Sequence, residues 1–199
     1  MRVLIACEFS GVVRDAFLRR GHDAVSCDLL ASAASGPHYQ CDVRTVLARE
    51  SFDLMIAHPP CTYLCSSGLH WNRRRPGRQA HTDAALDFVR LLLDADVPRI
   101  CVENPIGRIS TAIRRPDQII QPYWYGHDAA KATCLWLKNL PELGPTKFIA
   151  PRYVKGKPRW SNQTDSGQNR LGPSDTRWME RSATYQGIAD AMADQWGTL

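Results

Sequence analysis

The chain has 199 residues, a formal net charge of +5 and no apolar stretch of bilayer length. The apolar run over residues 1–6 is too short for a signal peptide, so we expect a cytoplasmic protein with a single domain over residues 1–199. Its seven cysteines are an odd number and lie mostly in apolar, strand-like surroundings, which favours reduced thiols over a disulfide scaffold.

Short apolar runs alternate with helical patterns over the first two thirds of the chain. The sequence predicts strands at residues 3–7, 24–27, 54–57 and 100–102, and helices at residues 12–20 and 82–95. This alternation is typical of a parallel sheet with crossover helices. The predicted fold class is therefore α/β, with a doubly wound, mostly parallel sheet whose ligands bind beyond the carboxyl ends of the strands.

The character of the chain changes after Pro141, where proline and glycine become frequent and apolar periodicity disappears. We expect a loop-rich segment followed by a final helix at residues 187–196. Residues 147–181 contain eight Lys or Arg against three Asp or Glu, so this basic segment accounts for the whole net charge. With a second basic group at residues 73–75, it favours a phosphate-rich partner, although a solvated basic surface or a flexible tail is the alternative.

The turns after the first two predicted strands suit a nucleoside-containing ligand. Cys7-Glu8-Phe9-Ser10-Gly11 follows the first strand, Asp28 closes the second, and Asp42 is a third acid further along. Sheets that bind nucleoside cofactors place a glycine turn after the first strand and an acid for the ribose hydroxyls after the second. A plain turn at Gly11 and a helix cap at Asp28 are the simpler alternatives.

Two further strand ends carry residues suited to covalent chemistry. His58-Pro59-Pro60-Cys61 follows the third predicted strand and Glu103-Asn104-Pro105 follows the fourth. Because the carboxyl ends of parallel strands open on one side of a sheet, a thiol and a carboxyl distant in sequence could converge there. A thiolate held by a stiff prolyl turn is a strong nucleophile. An inert buried thiol and a carboxylate paired with an arginine are the alternatives.

The chain resembles the DNA cytosine-5 methyltransferases. The resemblance rests on three motifs that have the order and the strand-end positions of that family: Phe9-Ser10-Gly11, Pro59-Pro60-Cys61 and Glu103-Asn104. The amino-acid sequences of residues 6–11, 131–137 and 184–189 are similar to those of the short bacteriophage-type members of that family. The resemblance covers nearly the whole chain, and the combination is more specific than any single motif.

The resemblance implies a Rossmann-like fold that binds S-adenosylmethionine and acts on duplex DNA. Cys61 would add to ring carbon C6 of a flipped cytosine, Glu103 would be held protonated by burial and donate to ring nitrogen N3, and Asn104 would shape its loop. The implied cofactor-binding residues are Glu8, Phe9, Ser10, Gly11, Asp28, Asp42 and Pro59. The expected DNA-binding residues are Ser66, Ser67, Arg73, Arg74, Arg75, Lys155, Lys157 and Arg159.

The chain departs from the family pattern at several positions. Val13 replaces a usual glycine, Thr62 replaces a usual glutamine, and Lys131 and Thr133 stand where two arginines flank the base, so Lys131 is the expected electrostatic support. The target-recognition domain is reduced to the basic segment 147–181, which predicts relaxed sequence specificity because phosphate contacts carry no sequence information.

Four alternatives stay open at this stage. The substrate could be a free cytosine nucleotide of the dCMP type, or the chain could be a catalytically silent DNA-binding protein of the same fold. The transferred group could be one other than methyl. Zinc binding by Cys61 and Cys65 is a weaker alternative, because no second ligand pair has comparable spacing.

Overall fold

The computed structural model describes residues 1–199 and contains a central sheet of seven strands in the order β3-β2-β1-β4-β5-β7-β6. The strands are β1 Arg2–Ala6, β2 Asp23–Asp28, β3 His38–Gln40, β4 Leu54–Ala57, β5 Arg99–Pro105, β6 Gln118–Ile120 and β7 Thr133–Lys138. Strands β1 to β5 pair in parallel, and β7 runs antiparallel to both of its neighbours. The predicted α/β class with a mostly parallel sheet is confirmed.

Helices cover both faces of the sheet. They are α1 Val12–Leu18, α2 Val43–Leu47, α3 Ser66–Leu69, α4 Arg78–Leu93, α5 Ile109–Ala112, α6 Arg177–Ser182 and α7 Gln186–Trp196. Alternate residues of β1 enter opposite cores: Val3 and Ile5 pack with α1 and α7, whereas Leu4 and Ala6 pack with α2 and α4. This period of two explains why the central strands are continuous apolar runs, since both of their faces are buried.

The predicted elements of the first two thirds are present with shifted ends, and β4 has the predicted bounds. One difference matters for the site. Glu103, Asn104 and Pro105 do not follow β5 but belong to it, because β7 continues the ladder there and pairs with all three residues. The carboxyl of Glu103 is therefore attached to hydrogen-bonded sheet and not to a turn.

The basic segment is more ordered than its composition indicates. Strands β8 (Arg152–Val154) and β9 (Lys157–Arg159) form a separate two-stranded ribbon, and α6 follows it. Lys155 and Gly156 both have positive φ angles, as expected for a tight two-residue hairpin turn. The base of the ribbon is anchored by Trp160, whose buried ring stacks on Tyr123 with ring centroids 4.0 Å apart.

None of the helices combines the length and apolar character needed to cross a bilayer. All seven cysteines are free.

A buried arginine holds the loop that follows β2. The Arg14 side chain is fully buried, and its guanidinium donates to the hydroxyls of Ser26 and Ser32 and to the carbonyls of Ala34 and Ser35. Gly11 lies against the Arg14 guanidinium, since a Cβ built at Gly11 would lie 2.5 Å from Arg14 Nη2. Arg14 thus fixes the loop that lies next to Asp28 at the carboxyl edge of the sheet.

We expect Arg14→Met to lower the free energy of unfolding by about 3 kcal/mol, because it leaves buried carbonyl and hydroxyl groups without their donor. Urea denaturation measures this change. The matched control is Arg19→Met, which removes an exposed pair with Asp190 and should cost no more than about 1 kcal/mol. Equal losses in the two variants would contradict the role given to Arg14.

Candidate active site

The turn after β4 and the end of β5 are joined directly at the carboxyl edge of the sheet. Cys65 and Gly107 form an isolated antiparallel bridge, in which Ser66 N–H donates to the Ile106 carbonyl at 3.0 Å. On the other side, Arg108 N–H donates to the Leu64 carbonyl at 2.7 Å. The segment that bears Cys61 and the strand that bears Glu103 are therefore held against each other by backbone hydrogen bonds.

Gly107 makes this close approach possible. A Cβ built at this position would lie 2.0 Å from the Leu64 carbonyl oxygen and 2.8 Å from the Cys65 Cα. Backbone atoms cannot move aside as the end of a flexible side chain can, so only glycine fits.

Glu103 is largely buried and pairs with a histidine from the neighbouring strand end. His58 Nδ1 lies 3.1 Å from Glu103 Oε2, and the two side chains are 9% and 15% exposed. Burial raises the pKa of Glu103, but the hydrogen bond and charge of His58, the charge of Lys131 and the hydroxyl of Thr133 outweigh it, and the pKa falls below its usual value. The structure thus favours a carboxylate at rest, whereas the sequence analysis expected burial to keep Glu103 protonated.

Asn104 fastens the prolyl turn to β5. Its buried side-chain amide donates from Nδ2 to the Pro59 carbonyl at 2.7 Å. This bond fixes the turn His58-Pro59-Pro60 over the sheet.

Cys61 is exposed and lies beside a second thiol, Cys65, one helical turn further along the chain. The hydrogen bond with Cys65 raises the pKa of Cys61, and burial and the charge of Glu103 act in the same direction. The pKa of Cys65 is lowered, first by the hydrogen bond from Cys61 and then by the Ser67 hydroxyl and the backbone N–H groups of Ser67 and Gly68.

Lys131 lies within electrostatic range of both reactive groups. Its charge lowers the pKa of Cys61 and of Glu103, while its ammonium donates to the Arg181 carbonyl at 2.8 Å. Thr133, the other residue expected where the family has arginines, donates its hydroxyl to the Lys131 carbonyl at 3.2 Å, and its nearness to Glu103 helps to lower the pKa of that carboxyl. The site thus has one positive charge beside the carboxylate.

A cavity of about 250 Å³ lies at the same edge of the sheet. Its lining combines two acidic side chains and one arginine with apolar and thiol groups: Cys7, Cys27, Asp28, Leu29, Cys41, Asp42, Val43, Arg44, Pro60 and Phe88. Of the residues expected to bind a cofactor, Asp28 and Asp42 line this cavity. Pro60 lines it in place of Pro59, whose carbonyl is occupied by Asn104. A wider depression of about 450 Å³ around Leu93 and Lys138 lies at the opposite edge, far from these groups.

The other expected cofactor residues surround the start of α1. Glu8 is buried, and its carboxylate accepts hydrogen bonds from the backbone N–H groups of Val13 and Arg14 and from the Ser10 hydroxyl. Glu8 therefore satisfies the free N–H groups of the helix, a role also favoured by the helix dipole. The Phe9 ring contacts Trp178 of α6, with ring centroids 5.6 Å apart.

The expected DNA-binding residues fall into two groups on either side of the site. Ser66, Ser67 and residues 73–75 belong to the turn between β4 and α4, where the guanidiniums of Arg74 and Arg75 lie over the Trp71 ring. On the ribbon, Lys155 and Lys157 are exposed and make no side-chain hydrogen bond or ion pair. Arg159 instead donates to the carbonyls of Asp165 and Pro158, so it serves the internal structure of the segment.

The sequence alone did not identify the residues of α4 that stabilise the Cys61 turn. Arg78 donates to the Thr62 carbonyl at 3.1 Å and lies over the Tyr63 ring, while the Thr82 hydroxyl donates to the Tyr63 carbonyl. His58 was noted only as part of the turn, although a polar residue between a buried strand and two prolines was a signal for a role at the site.

No family model and no curated protein matches the chain. Among solved structures, it is similar to the 16S rRNA methylase RmtB, with 15% sequence identity and a TM-score of 0.33 over 68% of this chain. The match spans 54% of that protein, about half of its length. A likeness at this level carries no argument about activity, so the function rests on the geometry of the site. No group of three or more His, Cys, Asp or Glu side chains is arranged to hold a metal ion.

We expect Gly107→Ala to lower the free energy of unfolding by about 2–4 kcal/mol, because the new methyl group cannot fit beside the Leu64 carbonyl without moving the backbone. Gly172→Ala is the matched control, since a Cβ at Gly172 meets nothing within 4 Å. Urea denaturation of the two variants tests the junction. A Gly107→Ala protein as stable as the control would show that the two segments are not held together as described.

Proposed function

We propose that the chain is an S-adenosylmethionine-dependent DNA cytosine-5 methyltransferase of relaxed sequence specificity, in which Cys61 adds to C6 of a flipped cytosine. The observation that carries the proposal is the backbone junction that holds the Cys61 turn against the Glu103 strand, beside a cavity bordered by Asp28 and Asp42. A nucleophile, a carboxyl group for the ring and a place for a nucleoside cofactor thereby share one edge of the sheet.

The cavity suits a nucleoside with a ribose. Asp28 Oδ1 accepts a hydrogen bond from Leu30 N–H at 2.9 Å, and its Oδ2 has no protein donor, which leaves an acceptor for a ribose hydroxyl. Leu29, Val43 and Phe88 supply apolar surface for a purine ring. When bound, the cofactor supplies an electrophilic methyl group on a sulfonium.

Cys61 and Cys65 together suit the first step. Cytosine C5 is a weak nucleophile, and addition of sulfur to C6 makes it a stronger one. As the Cys61 sulfur forms a bond to C6, its proton would pass to an ionised Cys65, a form that the Ser67 hydroxyl and the backbone N–H groups of Ser67 and Gly68 favour by lowering the pKa of Cys65. The electrons of the C5–C6 double bond shift into the ring, where a proton at N3 neutralises them.

Glu103 would provide that proton. The Glu103 carboxylate and the N3 lone pair both accept hydrogen bonds. Glu103 can therefore contact N3 of a bound cytosine only when a proton lies between the two groups. With Cys61 bonded to C6 and Glu103 at N3, C5 would be nucleophilic enough to take the methyl group that a bound S-adenosylmethionine would supply, the cofactor sulfur leaving as a thioether. Loss of the C5 proton to water, return of the N3 proton to Glu103 and departure of Cys61 from C6, with its proton returned by Cys65, would restore the aromatic ring and the free enzyme.

Duplex DNA as substrate is supported by the two basic surfaces beside the site. C6 of a stacked cytosine is out of reach of a thiol, so the base must rotate out of the helix. Lys155 and Lys157 on the ribbon and Arg73 to Arg75 on the opposite turn offer cations that a mononucleotide does not need. A two-stranded ribbon also has the width that the major groove admits.

We expect DNA containing 5-fluorocytosine to form a stable covalent adduct with the protein in the presence of S-adenosylmethionine, because fluorine at C5 prevents the final elimination. Intact-protein and peptide mass spectrometry should map the adduct to Cys61. Cys61→Ser should form none, whereas Cys65→Ser should form it at Cys61 but about 100-fold more slowly, because the proton acceptor is lost.

The same experiment with 5-fluoro-dCMP in place of DNA distinguishes a nucleotide substrate from a polymer. An adduct with the nucleotide and none with DNA would overturn DNA as the substrate. The absence of any adduct, although the protein binds both DNA and cofactor, would overturn the covalent mechanism.

We expect Lys155→Ala combined with Lys157→Ala to weaken DNA binding and to reduce the slope of log affinity against log salt concentration by about 2, roughly 0.9 for each lost phosphate contact. Arg159→Ala is the matched control, since its guanidinium is engaged by carbonyls of its own segment and the slope should stay unchanged. Fluorescence anisotropy at several salt concentrations gives both slopes. A double variant with the original slope would exclude the ribbon as a phosphate contact.

A further inference from the structure

His58 is a buried, polar residue at the site to which the reaction above assigns no step. Its backbone N–H donates to the Ala6 carbonyl at 2.9 Å and so extends the hydrogen bonding between β4 and β1. Pro59 and Pro60 follow it, and Asn104 holds the Pro59 carbonyl. The chain on both sides of His58 is thus fixed, and the position of its ring is determined by the sheet.

The ring of His58 has one partner, the carboxylate of Glu103. Since an ionised carboxylate only accepts hydrogen bonds, the 3.1 Å contact requires a hydrogen on Nδ1. Nε2 is buried and has no hydrogen-bond partner. Nδ1 is therefore the ring nitrogen whose hydrogen is shared with Glu103, and Nε2 makes no hydrogen bond.

Several other groups face Glu103 from the elements packed against it. Lys131 approaches from the segment before β7, Cys61 from the turn after β4, and Cys101 and Cys134 from β5 and β7. The Lys131 ammonium is itself held by the Arg181 carbonyl. Of the charged or titratable side chains around Glu103, His58 is the one that contacts it through a hydrogen bond fixed by β-sheet backbone.

We propose that His58 is the positioning residue for Glu103: its Nδ1–H orients the carboxyl group toward the substrate ring and holds it as a carboxylate until a pyrimidine that needs a proton at its ring nitrogen is bound. The identity of that pyrimidine as cytosine rests on the proposed function, whereas the pairing of His58 with Glu103 does not. The inference gives His58 no direct contact with substrate.

A titration without substrate tests the pairing first. The chain has five glutamates, at positions 8, 50, 103, 142 and 180, so selective carboxyl ¹³C labelling of glutamate gives a spectrum in which Glu103 is assigned by its loss in Glu103→Gln. The Glu103 midpoint should move to higher pH in His58→Leu, because a donor to the charged form is removed, and stay near the wild-type value in His58→Asn, whose amide can donate. The control His22→Leu, at the far edge of the sheet, should leave it unchanged.

A second measurement needs no variant. Long-range ¹H–¹⁵N correlation of the histidine rings in the native protein reports which nitrogen of His58 carries the hydrogen, and we expect Nδ1. A hydrogen on Nε2 alone would overturn the proposal, as would a Glu103 midpoint that does not rise in a folded His58→Leu protein. These outcomes are independent of whether the protein methylates DNA.

The kinetic consequence is read from the rate of adduct formation with 5-fluorocytosine DNA across pH. Because Glu103 must gain a proton, the rate should fall as pH rises through the Glu103 titration, and in His58→Leu this fall should occur at higher pH. The low-pH plateau of the rate should drop at least tenfold in His58→Leu, since the carboxyl is no longer oriented, and recover in His58→Asn.

An unchanged plateau and an unchanged midpoint in His58→Leu would overturn the positioning role. No adduct in the wild-type protein, with the ¹³C titration as expected, would instead count against the proposed function alone.

Discussion

The site depends on one constraint, the backbone junction between the turn after β4 and the end of β5. Parallel pairing of β4 with β5 brings the two segments to the same edge, but pairing alone leaves a turn free to point away. The bridge between Cys65 and Gly107 removes that freedom, and it exists only because Gly107 has no side chain. Every chemical role discussed for Cys61 and Glu103 requires this contact.

Charge at the site is arranged around a buried carboxylate and a pair of thiols. Burial by itself raises the pKa of Glu103, yet His58, Lys131 and Thr133 together lower it below its usual value. The same carboxylate raises the pKa of Cys61, whereas the Ser67 hydroxyl and nearby backbone N–H groups lower the pKa of the neighbouring Cys65. Under the proposed mechanism, Cys61 and Glu103 would change protonation when a substrate ring lies between them.

Much of the fold could be predicted from the sequence because the central strands are buried on both faces and read as short apolar runs. Residues 54–57 show this most clearly, since all four are buried. The antiparallel strand β7 was not predicted, because its partners lie far away in the chain and its last residues, Leu137 and Lys138, are only partly buried. That strand places Glu103 within the sheet, so the position of the carboxyl could not be read correctly from local pattern.

The prediction of the site was limited in the same way. Side chains with chemical character, such as Cys61, Glu103 and Asp28, could be selected from strand ends, but their partners could not. Arg14, His58 and Arg78 act through contacts with residues distant in sequence, and even at His58, where the flanking strand and prolines indicate a role, the neighbours do not identify the partner. Lys155 makes no side-chain hydrogen bond, whereas Arg159 donates to carbonyl groups of its own segment. This difference likewise depends on which carbonyls lie nearby, and composition does not reveal that.

The most direct test of the account is a crystal structure of the protein joined to 5-fluorocytosine DNA in the presence of S-adenosylmethionine. We expect continuous electron density from the Cys61 sulfur to C6 of a cytosine outside the helix, with the Glu103 carboxyl against N3 and His58 still paired with it. A cytosine that remains stacked in the duplex, or one whose ring lies away from Glu103, would contradict the account.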